Sequence, residues 1–284
     1  MTDEKEIMIE KSVEMNTVLN YNNLLNDISV IDYGLVSIIM PNYNGSKFLN
    51  DAIKSVIDQT YPNWELIIVD DCSTDNSLEI IKQFNDSRIR VIENKENSGA
   101  AVSRNNAIEV ADGRWIAFLD SDDLWISEKL EKQIKYMHDN EVFFSYTDYH
   151  VIDETNKVIT TFRPHLDVCT YGDILKHNYI GCLTVIYDSD KLGKVFMPVD
   201  AIKREDFACW LSILKNGVQA YCLHESLAQY KVHSNSVSSN KLKMMKYQWQ
   251  VYRKVEKLPV FRSINYLAYW TVMGVLKYRC NRKK

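Results

Sequence analysis

The strongest constraint on the fold is the alternation of short apolar runs with segments of helical spacing between residues 35 and 119. Four runs rich in β-branched and bulky apolar side chains are typical of strands: residues 35–40, 64–69, 88–92 and 115–119. The segments between them repeat apolar residues at helical spacing, as Phe48, Ala52 and Val56 do. Strands that alternate with helices form βαβ units, so the sequence predicts an α/β fold with a Rossmann-like, mainly parallel sheet flanked by helices.

Three carboxylates follow the fourth run directly. Residues 115–119 read as a strand buried on both faces, so Asp120, Asp122 and Asp123 must lie past its end, in the crevice where open α/β sheets bind ligands. Acids crowded at this spacing favour a bound Mg²⁺ or Mn²⁺, which usually takes further ligands from substrate phosphates. The segment indicates a nucleotide diphosphate held through a metal. The alternative is that Asp120 and Asp123 only cap the next helix or form an acidic turn.

Composition and charge limit the class of protein. At 284 residues and 46% apolar content, the chain can form one large core or one core with an appendage, and it is not a disordered protein. Residues 241–284 carry twelve Lys or Arg and one acid, about +11, which leaves about −15 for residues 1–240. A basic tail on an acidic body indicates attraction to an anionic surface, either membrane phospholipid or nucleic acid.

The cysteines and the apolar runs bear on metal sites and location. Six cysteines are scattered without a Cys-x-x-Cys pair, which argues against a zinc site. The acidic start is unlike a signal peptide, and no run reaches the roughly twenty apolar residues of a membrane-spanning helix. These features predict a cytoplasmic protein with reduced thiols.

The rest of the chain is less regular. Helices are predicted at residues 128–137, 171–176 and 203–214, strands at 142–146, 183–187, 219–223 and 227–232, a hairpin at 149–160 and a loop at 233–240. The chain is thus expected to comprise an N-terminal extension (1–34), an α/β domain (35–240) and basic amphipathic C-terminal helices (241–284).

Five segments resemble, in order, the motifs of the family 2 glycosyltransferases, which have the GT-A fold. They are residues 36–44, 67–75, 97–105, 118–123 and 204–206. The resemblance implies transfer of a sugar from a UDP-sugar donor, with inversion at the anomeric carbon and with Mn²⁺ or Mg²⁺ as cofactor. The overall likeness is to bacterial enzymes that build O-antigen, capsule or teichuronic-type polysaccharides.

The resemblance assigns nucleotide-binding roles to residues near the strand ends. Pro41, Tyr43 and Asp71 would line the nucleoside pocket, and Asp71 would accept a hydrogen bond from the uracil N3–H. Asp70 would either join them or support the sheet. Arg104 would lie near the donor, with a surface salt bridge as the alternative.

The same resemblance places the metal at the fourth strand. Asp122 would coordinate it, Asp120 would contact the ribose or metal-bound water, and Ser121 would lie beside them at the donor. His233 would reach the metal or the diphosphate, although a lone His at a strand end is often a structural hydrogen-bonding residue.

The reaction needs a base as well as a metal. A divalent ion can neutralise charge on the leaving UDP, and a carboxylate on the far side of the sugar can deprotonate the attacking hydroxyl. By resemblance we assign that base to Asp206, with Glu205 as the alternative. Both also suit the start of a helix, where acids are favoured by the dipole.

Acceptor and location depend on the basic tail. Its aromatic and basic residues predict attachment to the inner face of the cell membrane, with a saccharide on a lipid diphosphate as acceptor. The alternatives are that these helices pack on the catalytic domain or pair two subunits. Rival functions are a non-catalytic nucleotide- or RNA-binding protein and a nucleotidyltransferase. The acidic body disfavours nucleic acid, and the absence of a Gly-rich loop after the first strand disfavours nucleotidyl transfer.

Overall fold

The computed structural model describes residues 31–233 and 241–281, with side chains up to residue 272 in the second range. Most of the predicted extension, most of the predicted loop at 233–240 and the last three basic residues therefore lie outside the described residues. Tyr33 belongs to the α/β domain rather than to an extension, because its ring is buried and its carbonyl accepts a hydrogen bond from the indole of Trp115.

Residues 35–119 form the predicted parallel sheet. Its strands are β1 (Val36–Asn42), β2 (Trp64–Asp70), β3 (Ile89–Glu93) and β4 (Trp115–Phe118), and the helices between them are α1 (Leu49–Ile57), α2 (Ser77–Ile81) and α3 (Ala100–Val110). All pairings in the order β3-β2-β1-β4 are parallel. Strands β2 and β4 are buried along their whole length, which explains their continuous apolar runs. Because the four strands are parallel, their carboxyl ends meet at one edge of the sheet.

Strand β1 continues through Pro41, where the sequence predicted a stop. Pairing of β1 with β4 ends at Ile39, and the last bond on that side is from the Leu119 N–H to the Ile39 carbonyl. The missing N–H of Pro41 therefore interrupts no ladder bond to β4. On the other side β1 stays in register with β2 as far as Asp70.

The second half extends this sheet with antiparallel pairs. Its strands are β5 (Leu124–Trp125), β6 (Phe144–Ile152), β7 (Val158–Phe162), β8 (Val168–Cys169), β9 (Ile186–Asp188) and β10 (Ala220–Lys231), and its helices are α4 (Lys129–Asp139), α5 (Tyr171–Lys176), α6 (Ser189–Leu192) and α7 (Glu205–Leu214). The order continues β4-β9-β6-β10-β5, with β9 antiparallel to both neighbours and β6 parallel to β10. The result is a mixed α/β sheet with flanking helices.

Three predictions in this half were wrong in detail. The strand predicted at 142–146 and the first arm of the hairpin predicted at 149–160 are one strand, β6. The strand predicted at 183–187 is a 3₁₀ turn, Cys182–Thr184, followed by the short β9. The two strands predicted at 219–223 and 227–232 are one strand, β10, because a bulge between Leu223 and Ala228 absorbs the polar residues that looked like a break.

The C-terminal helices are α8 (Lys241–Gln250), a π-helical turn (Val251–Val255) and α9 (Val260–Asn281). They pack on the α/β domain through Tyr252, which is fully buried and donates a hydrogen bond to the Leu175 carbonyl. Glu256 adds contacts with the Tyr171 hydroxyl and Lys215. Within the described residues, no helix combines the length and apolar character that crossing a membrane requires.

Candidate active site

A cavity of about 660 Å³ opens at the carboxyl edge of the parallel strands. Its lining includes the strand ends with Pro41, Tyr43, Asp71 and residues 120–123, together with the first turn of α7 and the loop before it. This size suits a ligand of small-molecule dimensions. The fold thus brings together all the predicted site residues except Asp70 and His233 as lining of one cavity.

Asp71 lies at the cavity, at the end of β2. Its carboxylate accepts hydrogen bonds from the Asn94 amide and from the backbone N–H groups of Ser98 and Gly99. Although burial raises its pKa, these hydrogen bonds outweigh burial and lower the pKa below the ordinary value. Asp71 therefore stays ionised at neutral pH, and the loop before α3 holds its carboxylate in place.

Asp70 does not line the cavity. It is buried, and its carboxylate accepts hydrogen bonds from Asn42 and from the backbone and hydroxyl of Ser73. These contacts tie the end of β2 to the end of β1. The geometry favours the supporting role over direct contact with a nucleotide.

Arg104 lines the cavity beside both acidic motifs. Its guanidinium donates to Asp120 at 2.5 Å and to Glu205 at 3.1 Å, and its side chain is only 6% exposed. The alternative of a surface salt bridge is therefore wrong, because both ion pairs of Arg104 are largely shielded from water. Arg104 joins α3, the end of β4 and the start of α7.

Asp122 contacts His233, which lies two residues after the end of β10. The His233 Nε2 and Asp122 Oδ2 atoms are 2.9 Å apart, and the imidazole packs beside the Phe48 ring. Burial raises the pKa of Asp122, and the neighbouring charge of Asp120 adds to this, while His233 opposes it. A carboxylate and an imidazole in contact form a donor pair for a divalent cation.

The three predicted metal ligands do not converge on one point. Among the described residues, a trio of ligand atoms within 4.8 Å of one another occurs elsewhere, at Asp148, Cys222 and His224. Asp120 instead faces Arg104. Asp122 and His233 remain together as the pair able to hold an ion, and two protein ligands suffice for Mg²⁺ or Mn²⁺ when phosphates and water supply the rest.

Asp123 has contacts that support the fold. Its carboxylate is buried and accepts a hydrogen bond from the backbone N–H of Lys231 at 2.8 Å, which anchors β10 to the end of β4. Burial raises its pKa well above the ordinary value, with further repulsion from Asp122 and Asp120. Neither Asp120 nor Asp123 caps the following helix, which begins after Glu128.

Asp206 lines the cavity in the first turn of α7. Burial raises its pKa, and the adjacent Glu205 adds to the shift. Glu205, by contrast, is engaged by Arg104. Asp206 is therefore the better placed of the two acids to take up a proton near neutral pH.

The sequence analysis missed several lining residues, among them four aromatic side chains and one arginine: Tyr149, Phe162, Tyr179, Tyr230 and Arg204. Arg204 stood inside a segment that carried the family resemblance, so its position was a usable signal. The four aromatic residues lie on β6, on β7, in the loop before β9 and on β10, outside those segments.

Comparison with known proteins agrees with this arrangement. The model of the family described as Glycosyl transferase family 2 matches residues 37–186. TuaG of Bacillus subtilis, a glycosyltransferase named for teichuronic acid biosynthesis, is 47% identical over 231 residues, which cover 81% of this chain and 91% of TuaG. The chain belongs to glycosyl transferase family 2. The family membership supports glycosyl transfer over nucleic-acid binding and nucleotidyl transfer.

Other relatives and structures extend the comparison. WfgD of Escherichia coli, named as a UDP-Glc:alpha-D-GlcNAc-diphosphoundecaprenol beta-1,3-glucosyltransferase, is 42% identical to this glycosyltransferase over 89% of the chain and 98% of WfgD. The crystal structure of S. aureus TarS 1-349 with UDP superposes with a TM-score of 0.62 at 21% identity, covering 83% of this chain and 70% of that one. The Pyrobaculum calidifontis mannosyltransferase PcManGT, solved with GDP-Man and Mn²⁺, gives 0.62 at 18%, covering 84% and 71%. These structures confirm the GT-A fold.

Proposed function

We propose that this glycosyltransferase moves one sugar from a UDP-sugar to a hydroxyl of a saccharide carried on a lipid diphosphate, with inversion. The observation that carries the proposal is that Asp122, at the strand ends, and Asp206, in the first turn of α7, both line one cavity. A donor bound in this cavity would have its diphosphate near the first acid and its anomeric carbon toward the second. The bacterial product would be a surface polysaccharide such as O-antigen or capsule.

The nucleoside half of the donor is assigned to Pro41, Tyr43 and Asp71. Asp71 keeps its negative charge at neutral pH, which suits it to accept a hydrogen bond from the uracil N3–H. Tyr43 is half exposed at the cavity, so its ring is available to a base. The names of WfgD and WfaP specify a UDP-Glc donor, and TarS was solved with UDP and with UDP-GlcNAc, which supports a uridine donor.

A divalent cation, Mn²⁺ or Mg²⁺, would be held by Asp122 and His233, and it would supply charge neutralisation for the departing diphosphate. The donor types fit such an ion, because the partly exposed Asp122 carboxylate lies at the cavity in contact with the His233 imidazole. Arg104 holds Asp120 in place beside this pair, and Ser121 lies between the two acids. Mn²⁺ in the PcManGT complex supports this choice of metal.

Asp206 is assigned as the general base. It would accept the proton of the attacking hydroxyl as the new glycosidic bond forms on the face opposite the diphosphate. A single displacement of this kind inverts the anomeric centre and needs no covalent nucleophile. Glu205 would serve by keeping Arg104, and through it Asp120, in position.

The acceptor would lie along the aromatic wall formed by Tyr149, Phe162, Tyr179 and Tyr230. Aromatic rings offer flat apolar surfaces to the C–H faces of sugars, and the tyrosines add hydroxyl groups for orientation. The names of WfgD and WfaP specify GlcNAc-diphosphoundecaprenol acceptors, and these proteins are 42% and 40% identical to this chain. We therefore assign a lipid-diphosphate-linked saccharide to this wall.

Such an acceptor lies at a membrane surface, and the outer face of α9 suits that location. The inner face of the C-terminal helices packs on the domain, whereas Phe261 and Ile264 are 69% and 56% exposed. Exposed apolar side chains among Lys and Arg are typical of helices that lie in a membrane interface. We propose peripheral attachment to the inner face of the cell membrane through this outer face.

The function is tested by incubating the purified protein with a panel of UDP-sugars, Mn²⁺ and synthetic lipid-diphosphate saccharides, followed by mass spectrometry of the products. The proposal predicts that one sugar is added to a lipid-linked acceptor and that GDP-sugars give no product. Transfer from a GDP-sugar would contradict the donor assignment. Transfer to free saccharides alone would contradict the acceptor assignment.

A further inference from the structure

A second cluster of ligand-type side chains lies outside the sugar-transfer cavity, between β6 and β10. It consists of Asp148 on β6 and of Cys222 and His224 on β10. Residues two apart on a strand share a face, so Cys222 and His224 both point toward Asp148. The chain contains no Cys-x-x-Cys pair, and this Cys-x-His arrangement acquires its third member only through the pairing of the two strands.

The distances among the three side chains match a tetrahedral metal site. The Asp148 Oδ1 atom lies 3.2 Å from His224 Nδ1 and 3.8 Å from Cys222 Sγ, and the last two are 3.6 Å apart. Zinc bonds of about 2.3 Å to sulfur and about 2.0 Å to nitrogen and oxygen, at tetrahedral angles, separate such ligand atoms by about 3.3–3.6 Å. The three atoms therefore lie close to the corners that Zn²⁺ would require.

The surroundings also match a metal centre. The other ring nitrogen of His224, Nε2, lies 2.9 Å from the Asp167 carboxylate, and a carboxylate on the outer nitrogen is the usual support of a metal-binding histidine. Asp148 and Cys222 are buried, whereas the His224 side chain is 41% exposed. An ion therefore has a route from solvent, and a water molecule can complete its coordination.

We propose that Asp148, Cys222 and His224 bind one Zn²⁺, oriented by Asp167. Binding displaces the thiol proton of Cys222, so the ion replaces that proton and bridges the three ligands. The site coincides with the bulge of β10, whose register against β6 shifts between Leu223 and Ser226. A metal there fixes the register of the strand that carries Tyr230 to the cavity. This role is independent of the sugar donor and acceptor.

Cobalt provides the test, because a Co²⁺–thiolate bond gives a charge-transfer absorption in the near ultraviolet. The full-length protein is stripped with chelator and titrated with Co²⁺ alone, then with Zn²⁺. We expect saturation at one equivalent with that absorption, and loss of the absorption when zinc displaces cobalt. Failure of the wild-type protein to develop the absorption would overturn the proposal without any variant.

Variants separate this site from the sugar-transfer cavity. Cys222→Ser should abolish the absorption, and Asp167→Asn should weaken cobalt binding by about 10–100-fold. Cys72→Ser, at an exposed thiol, and Asp122→Ala, in the cavity, should retain the absorption. If Cys222→Ser fails to fold by circular dichroism, His224→Gln at the partly exposed ligand replaces it. An absorption unchanged in these ligand variants would show that His224 merely bridges two carboxylates.

Discussion

The guanidinium of Arg104 donates a 2.5 Å hydrogen bond to Asp120 and thereby joins helix α3 to the end of strand β4. The same group also donates to Glu205 at the start of α7. Arg104 thus pairs with one acid of the strand-end motif, Asp120, and with one acid of the helix motif, Glu205. Of the other acids of these motifs in the cavity lining, Asp123 accepts a hydrogen bond from the backbone N–H of Lys231, which leaves Asp122 and Asp206 for the chemical roles.

Removal of Arg104 should destabilise the fold. Arg104→Gln leaves Asp120 and Glu205 without their cation in a poorly hydrated site, and breaking such a buried ion pair costs about 3–5 kcal/mol. Chemical denaturation measures the free energy of unfolding. The matched control is Arg90→Gln, whose partly exposed pairs with Glu65 and Asp112 predict a loss of at most about 1 kcal/mol. Equal losses in the two variants would contradict the bridging role.

Asp122 and Asp123 should respond differently to removal of charge. Asp122→Asn should weaken Mn²⁺-dependent UDP binding by roughly a hundredfold, about 2.8 kcal/mol, because a ligand to the ion loses its charge. Asp123→Asn should keep that binding, since an amide oxygen can still accept the hydrogen bond from Lys231. Calorimetric titration with UDP, with and without Mn²⁺, checks both. Similar affinities for the two variants would remove Asp122 from its assigned role.

Asp206 should make stability depend on pH in the opposite sense to most acids. Burial and Glu205 raise its pKa above 3.8, so the folded protein binds the proton more tightly than the unfolded chain. Its contribution is favourable below pH 3.8 and is lost as pH rises through the raised pKa. Asp206→Asn should therefore raise Tm at neutral pH and leave it nearly unchanged in acid.

The matched control for this dependence is Asp75→Asn. Although burial raises the pKa of Asp75, hydrogen bonds from Ser77 and Ser46 lower it overall. Its contribution is therefore present above pH 3.8 and lost as pH falls through the lowered pKa, so Asp75→Asn should lower Tm at neutral pH. Melting curves from acid to neutral pH test both predicted changes in Tm. A lower Tm for Asp206→Asn at neutral pH would contradict the destabilising effect of its buried charge.

The exposed apolar side chains of α9 should control association with membranes. Phe261→Ser combined with Ile264→Ser should reduce sedimentation with anionic liposomes, while Val91→Ser, at an exposed residue of edge strand β3, should not. These substitutions are preferable to truncation at residue 241, because truncation would remove the buried Tyr252 and expose its contacts in the domain. Unchanged sedimentation of the double variant would end the membrane proposal.

The sequence was most informative where apolar runs and acids alternate. The β-branched runs and the acids that follow them predicted the parallel sheet and the cavity edge, because strand ends of a parallel sheet meet at one side. The predicted end of β1 before Pro41 was wrong. A proline interrupts a strand only where a neighbouring strand would accept a hydrogen bond from the missing N–H. That neighbour, β4, ends earlier.

Long-range pairings could not be predicted from spacing. Arg104 and Glu205 are 101 residues apart, and their contact depends on how α7 packs against α3. The same holds for Asp148 with Cys222 and His224, which meet because β10 pairs with β6. Acids beside apolar runs were recognisable, but which of them face a cation, a backbone N–H or the cavity depends on tertiary packing.

The rate of a single turnover by Asp206→Asn, with UDP-sugar and Mn²⁺ already bound, tests the central claim most directly. The claim is that Asp122 with His233 holds the cation and that Asp206 separately takes the acceptor proton. We predict that Asp206→Asn binds UDP and Mn²⁺ with wild-type affinity but transfers sugar at least about a hundredfold more slowly, within the usual contribution of a general base. A wild-type transfer rate in this variant would contradict the account.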